Sequence, residues 1–146
     1  MNLIIKEIDE DLGLQTIIKP NKNFLKQVGE KRFRTLVNDH YELLKESEIA
    51  YMFPVEYEEQ FEKVKKHAAD FLIQISGGPE YYKQSRGDSK MLARHARFRI
   101  EAKGRYVWLD AYRGLLEALE KEGIEAEYIE SFWDYLHDFS IPLVNS

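Results

Sequence analysis

Gly77-Gly78-Pro79 interrupts a chain whose apolar residues otherwise return at helical spacing. Two permissive residues before a proline cannot continue a helix. The segment they end carries Phe61, Val64, Ala68, Phe71, Leu72 and Ile75 on one face. Before it, Asn21 or Asn23 caps a short helix reaching about Val28, and Gly29 breaks it. Phe33, Leu36, Val37, His40, Tyr41 and Leu44 mark a second helix that fades near Ser47, and Tyr51-Met52-Phe53-Pro54 forms an apolar corner. Beyond the break come a loop with Gly87-Asp88 and a short helix through Met91, Leu92 and His95. Residues 101–121 follow, with Trp108, Ala111, Tyr112, Leu115 and Leu119 in phase; Gly123 stops them. A last helix presents Ile129, Phe132, Trp133 and Leu136 before Pro142. No stretch alternates with period two, and no hairpin signal appears, so the expected class is all-α.

The 146 residues suit one domain, expected over residues 21–146, with an arm at 1–20 that is irregular or partly helical. The arm's Leu3, Ile4, Ile5, Leu12, Leu14, Ile17 and Ile18 are expected to pack on the body. Hydrophobic residues at 44% supply a core, so disorder is excluded. With 21 basic against 26 acidic residues the chain lacks the concentrated positive surface that nucleic acid requires. Zero cysteines exclude disulfides, iron–sulfur ligation and thiolate zinc sites. Neither a leader peptide nor a membrane-spanning run is legible, which makes a soluble cytoplasmic protein the expectation. Glu56, Glu58, Glu59 and Glu62 read as a solvated face rather than catalytic carboxylates.

Of four histidines, His95 is the most informative. It lies in Leu92-Ala93-Arg94-His95-Ala96-Arg97-Phe98, where it reads either as a partly exposed side chain or as a ligand. No histidine or carboxylate stands three or four residues away, so a helical zinc or di-iron motif fails. One histidine makes a metal site when a porphyrin supplies the other ligands.

Gly77-Gly78-Pro79, Tyr82, Arg94-His95, Phe98 and Trp108-Leu109 occur in an order that resembles the truncated haemoglobins, their second group most of all. Leu36-Val37-Asn38-Asp39-His40-Tyr41 is similar to that family's second helix, and Phe53-Pro54 to its corner. The resemblance covers roughly residues 25–140. It implies a helical sandwich around haem b (iron protoporphyrin IX), with the arm as an N-terminal extension. By the same resemblance His95 is the iron ligand, and Arg94 and Tyr82 contact the propionates. Tyr41 and Trp108 donate hydrogen bonds to a ligand on the distal side, while Phe53, Val64, His67, Ala68, Phe71, Leu72, Met91 and Phe98 wall the pocket. Without the family, Arg94 reads as a surface cation, and Tyr41, Trp108 and the wall residues as ordinary core.

The chain also departs from the pattern. The first glycine pair is reduced to Val28-Gly29, the segment from Tyr51 to Phe61 is longer, and Arg97 stands where a proline is usual. Val64 and Ala68 are apolar where polar side chains are common, leaving Tyr41 and Trp108 as the donors. His67 reads as an edge histidine near the propionates or as a sixth iron ligand. His40 reads as a satisfied core histidine or a tuner of Tyr41, and His137 as exposed.

The implied function is reversible binding of O2, NO or CO, with slow release. Nitric oxide dioxygenation or peroxidase-like chemistry would draw on a separate reductase. The alternative is a haem-free helical module acting through protein contacts. A monomer or small homo-oligomer, binding neither nucleic acid nor membrane, completes the expectation.

Overall fold

A computed structural model of the protein describes residues 1–9 and 16–146, and among these residues every regular element is helical. Seven α-helices run in the order α1 (Lys22–Val28), α2 (Glu30–Lys45), α3 (Glu58–Ile75), α4 (Tyr81–Arg86), α5 (Met91–His95), α6 (Ala102–Lys121) and α7 (Ala126–Ser140). A 3-10 turn, Ala50–Met52, leads into the apolar corner. The described residues include no helix long and apolar enough to cross a membrane.

Local chemistry sets the boundaries. The Asn21 side chain accepts the Asn23 amide at 2.8 Å, so Asn21 is the cap of α1. Gly29, at φ +79, ends α1 by donating to the Leu25 carbonyl at 2.7 Å, and its own carbonyl accepts from Phe33 at 2.9 Å. One residue thus closes one helix and opens the next.

At the end of α3 the two glycines do different work. Gly77 takes φ +90, which favours a residue without a side chain. At Gly78 a Cβ would lie 2.7 Å from both Ile73 Cγ2 and Leu25 Cδ2, so its bare backbone lets α1 close against α3. The stretch after Pro79, expected as loop, contains α4. Six residues are too few to display a period, and Gly87 at φ +75 ends them.

Packing makes two layers. α2 lies on both α3 and α6, α6 on α7, and α1 spans α2 and α7. Phe24 stacks on Phe132 with ring centres 4.6 Å apart, and Phe33 meets both edge-on at 5.8 and 5.6 Å. Such pairs add about 0.5–1.5 kcal/mol each beyond their burial. The apolar face of α3 divides: Phe61, Ala69, Leu72 and Ile73 are buried, whereas Val64, His67, Ala68 and Ile75 are half-buried. Two charges join the buried side because partners surround them. Lys65 donates to Asn38, Glu42 and Glu62 at 2.8–3.0 Å, and Asp70 accepts from Arg34 and Lys66 at 2.8 and 2.7 Å.

The arm docks by its backbone more than by its apolar side chains. Leu3 is buried and Ile5 packs on the core, but Ile4, Ile17 and Ile18 are exposed, against expectation. Leu12 and Leu14 lie outside the described residues. The Leu3, Ile4 and Lys6 carbonyls accept from Arg113, the Trp133 indole and Arg105 at 3.2, 3.2 and 3.0 Å. His137 is correspondingly buried rather than exposed: its Nε2 accepts the Lys6 amide at 3.0 Å and its Nδ1 pairs with Asp138 at 3.0 Å. A segment without regular secondary structure covers that face, and no periodicity in α7 announces it.

Candidate functional site

α5 is a single turn that carries His95 at its end. Lys90, just before it, has φ +44, a left-handed conformation that costs a non-glycine residue about 1–2 kcal/mol. Within the turn, His95 Nδ1 lies 2.7 Å from the Met91 carbonyl. A carbonyl only accepts, so Nδ1 is the donor of this bond and Nε2 is the nitrogen left over. Nε2 finds no protein partner among the described residues. An imidazole held by one nitrogen with the other bare is the arrangement of a metal-ligating histidine.

Arg94 is half-buried and holds the preceding loop. Its Nε donates to the Ser89 carbonyl at 2.7 Å, and one terminal nitrogen donates to the Arg86 and Asp88 carbonyls at 3.1 and 3.2 Å. The guanidinium lies 5.6 Å over the Tyr82 ring. Tyr82 is buried on α4 and meets Phe71 edge-on at 5.7 Å. His67 shares this charged neighbourhood. Burial first, then Arg86, Lys66 and Arg94, hold it below the ordinary histidine range, with Asp70 opposing them; its Nδ1 is buried and unpartnered. An open cleft of about 440 Å³ lies against His95 and Phe98, floored by Leu92 and by Leu143 and Asn145 of the C-terminal segment.

Phe71, Leu72 and Tyr82 belong to the continuous core, and Tyr41, Ala68, Met91 and Trp108 pack against it while staying half-buried. Val64 is half-buried one turn before Ala68. Phe53 joins through Tyr41, which it meets edge-on at 5.4 Å; Phe61 meets Tyr41 at 6.2 Å. Two groups of sequence-selected residues therefore assemble. One links Phe71 and Tyr82 through Arg94 to the turn of Met91 and His95, with Phe98 lining the same cleft as His95; the other links Phe53 to Tyr41 and, through His40, to Trp108.

His40 sits inside the second group and is fully buried. Its Nε2 donates to the Trp108 carbonyl at 2.8 Å, leaving Nδ1 buried and unpartnered. Burial pushes its pKa down to about 3, so the ring is neutral. It stacks on Tyr112 at 3.6 Å and meets Trp108 and Tyr41 edge-on at 5.3 and 5.6 Å. Tyr41 is pushed up to about 12 by burial and stays a protonated donor. Neither its hydroxyl nor the Trp108 indole N–H has a protein hydrogen-bond partner among the described residues. Sequence reasoning placed Tyr112 only in the core. Its position four residues after Trp108 is the signal that assigns it to this group, and its hydroxyl is close enough to Tyr41 for their charges to interact.

A two-layer helical sandwich with a one-turn helix presenting a bare imidazole beside half-buried aromatics is the architecture of a globin. The sequence pattern of the bacterial-like globins matches residues 23–145, and the chain belongs to that family. Among solved structures it is similar to phosphate-bound Hell's gate globin IV, with a TM-score of 0.85 and 35% identity over 98% of this chain and 87% of that one. A thermostable haemoglobin from the actinobacterium Thermobifida fusca gives a TM-score of 0.74 and 30% identity, covering 84% of this chain and 96% of that one. The truncated oxygen-avid haemoglobin from Bacillus subtilis gives 0.72 and 25%, covering 84% and 98%. The chain is accordingly a haem-binding globin. Its residues fit the group: His95 Nε2 has no protein partner among the described residues, half-buried apolar side chains flank it, and Arg94 and Arg86 lend positive charge nearby.

Proposed function

We propose that this globin binds a diatomic gas (O2, NO or CO) reversibly, with His95 as the protein's bond to the haem iron and Tyr41 and Trp108 as donors to the gas. The observation that carries the reading is the hydrogen bond from His95 Nδ1 to the Met91 carbonyl at 2.7 Å, which presents Nε2 in the ligating tautomer. Haem b, when bound, supplies the iron that takes the gas.

The chain's own residues do the rest. Phe53, Val64, Ala68, Phe71, Leu72, Met91 and Phe98 would wall the porphyrin and exclude water. Arg94 and Tyr82 would hold its propionates, and His67, held below the ordinary histidine range by burial and by Arg86, Lys66 and Arg94, would belong to that edge. The hydroxyl of Tyr41 and the indole N–H of Trp108, unpartnered among the described residues, would donate hydrogen bonds to a gas held in the pocket. Two donors in a dry pocket retard escape, which suits sensing, scavenging or redox chemistry better than bulk transport. Sustained turnover draws its electrons from a separate reductase.

The test is spectroscopic. Haemin added to the apoprotein should give a Soret band that shifts and weakens in His95→Ala. No Soret band, or one that the substitution leaves unchanged, overturns the reading.

A further inference from the structure

We infer that His40 is a positioning residue for Trp108, aiming the indole through a hydrogen bond to the Trp108 backbone rather than by touching a ligand. The inference rests on the proposed role of Trp108 as a donor to the gas.

The bond from His40 Nε2 to the Trp108 carbonyl, 2.8 Å long, crosses from α2 to α6 at the residue whose side chain must be aimed. The same ring stacks at 3.6 Å on Tyr112, one turn further along α6, and touches Trp108 and Tyr41 edge-on. It therefore fills the space between all three aromatic side chains and ties one helix to the other. The stacking alone holds a ring there, and phenylalanine would supply it. The hydrogen bond is what histidine adds, and it fixes the slide and rotation of α6 against α2.

His40 retains this role although its second nitrogen is buried without a partner, which destabilises the fold. It carries no proton relay at ordinary pH, because burial keeps the ring neutral. Without the Nε2–H donor, α6 settles by ring packing alone, and the Trp108 indole N–H loses its alignment.

The experiment uses the holoprotein and compares oxygen release in His40→Phe, His40→Gln, Trp108→Phe and the His40→Phe/Trp108→Phe double variant. His40→Phe should release oxygen roughly tenfold faster, the scale of one hydrogen bond lost or misaligned. His40→Gln keeps a donor of similar reach and should stay near the parent rate. In the Trp108→Phe background His40→Phe should add nothing, since both act through one indole. Nitrogen-15 NMR of the parent protein in its carbon monoxide complex should show Nε2 protonated and Nδ1 bare between pH 5 and 8. Independent, additive effects, a parent-like rate in His40→Phe beside a fast Trp108→Phe, or a ring protonated at Nδ1 would overturn the inference alone. A parent-like rate in Trp108→Phe would overturn the donor reading and this inference with it. Should His40→Phe not fold, His40→Gln and the NMR assignment still decide: a glutamine variant as fast as Trp108→Phe counts against positioning.

Discussion

His95 and His40 are both imidazoles bonded to a backbone carbonyl, and they use opposite nitrogens. His95 spends Nδ1 on its own helical turn and leaves Nε2 bare at a half-buried surface. His40 spends Nε2 on a neighbouring helix and leaves Nδ1 sealed in the core. Residue identity is the same; the direction of the side chain decides whether the spare nitrogen faces a half-buried surface or stays sealed as a packing cost. Tyr41 and Trp108 carry the matching prediction. Tyr41→Phe and Trp108→Phe should each speed oxygen release, by about ten- to hundredfold if the bond is charge-assisted. Stopped-flow displacement by carbon monoxide measures it, and parent-like rates in both variants would remove them from the ligand side. The residue types were legible in sequence. That the Tyr41 hydroxyl and the Trp108 indole have no protein partner among the described residues was not, because hydrogen bonding depends on what other elements bring alongside.

Among the elements, the α3–α1 junction shows how far local pattern reaches. Gly77-Gly78-Pro79 announced the end of α3 and the structure places it there. The reason for the second glycine came only from the approach of Leu25 on α1. Gly78→Ala should therefore destabilise the protein by about 1–3 kcal/mol through overpacking. Gly29→Ala has open space around its Cβ, and its backbone at φ +79 and ψ 153 alone costs a side-chain residue about 1–3 kcal/mol. Denaturant midpoints measure both losses, and a parent-like midpoint for Gly78→Ala would refute the packing argument. The division of α3 was also illegible in sequence. Lys65 and Asp70 look like solvent residues until Asn38, Glu42 and Arg34 from α2 surround them.

For the whole molecule the buried histidine makes stability depend on pH. In the unfolded chain His40 titrates near 6.5, and in the folded protein only near 3. Between these values the unfolded state holds the extra proton, so its protonation favours unfolding as pH falls. The contribution is intact above pH 6.5 and is lost toward pH 3, with a slope approaching about 1.4 kcal/mol per pH unit. His40→Phe should flatten the stability–pH curve in that window, measured by urea unfolding at pH 4, 5, 6 and 7. Parallel curves for parent and variant would contradict the burial of a neutral ring.

Sequence alone determined the helical class, the breaks at Gly29 and Gly77-Gly78-Pro79, and the candidacy of His95, because period, turn chemistry and ligand type are local properties. Tertiary structure decided which apolar residues of the arm are buried, why His137 is enclosed, and how His40 and Tyr112 join Tyr41 and Trp108. Those outcomes turn on contacts between residues as much as 131 positions apart, such as Lys6 and His137. A side chain's surroundings at that range are set by how whole helices pack, and no window along the chain contains that information.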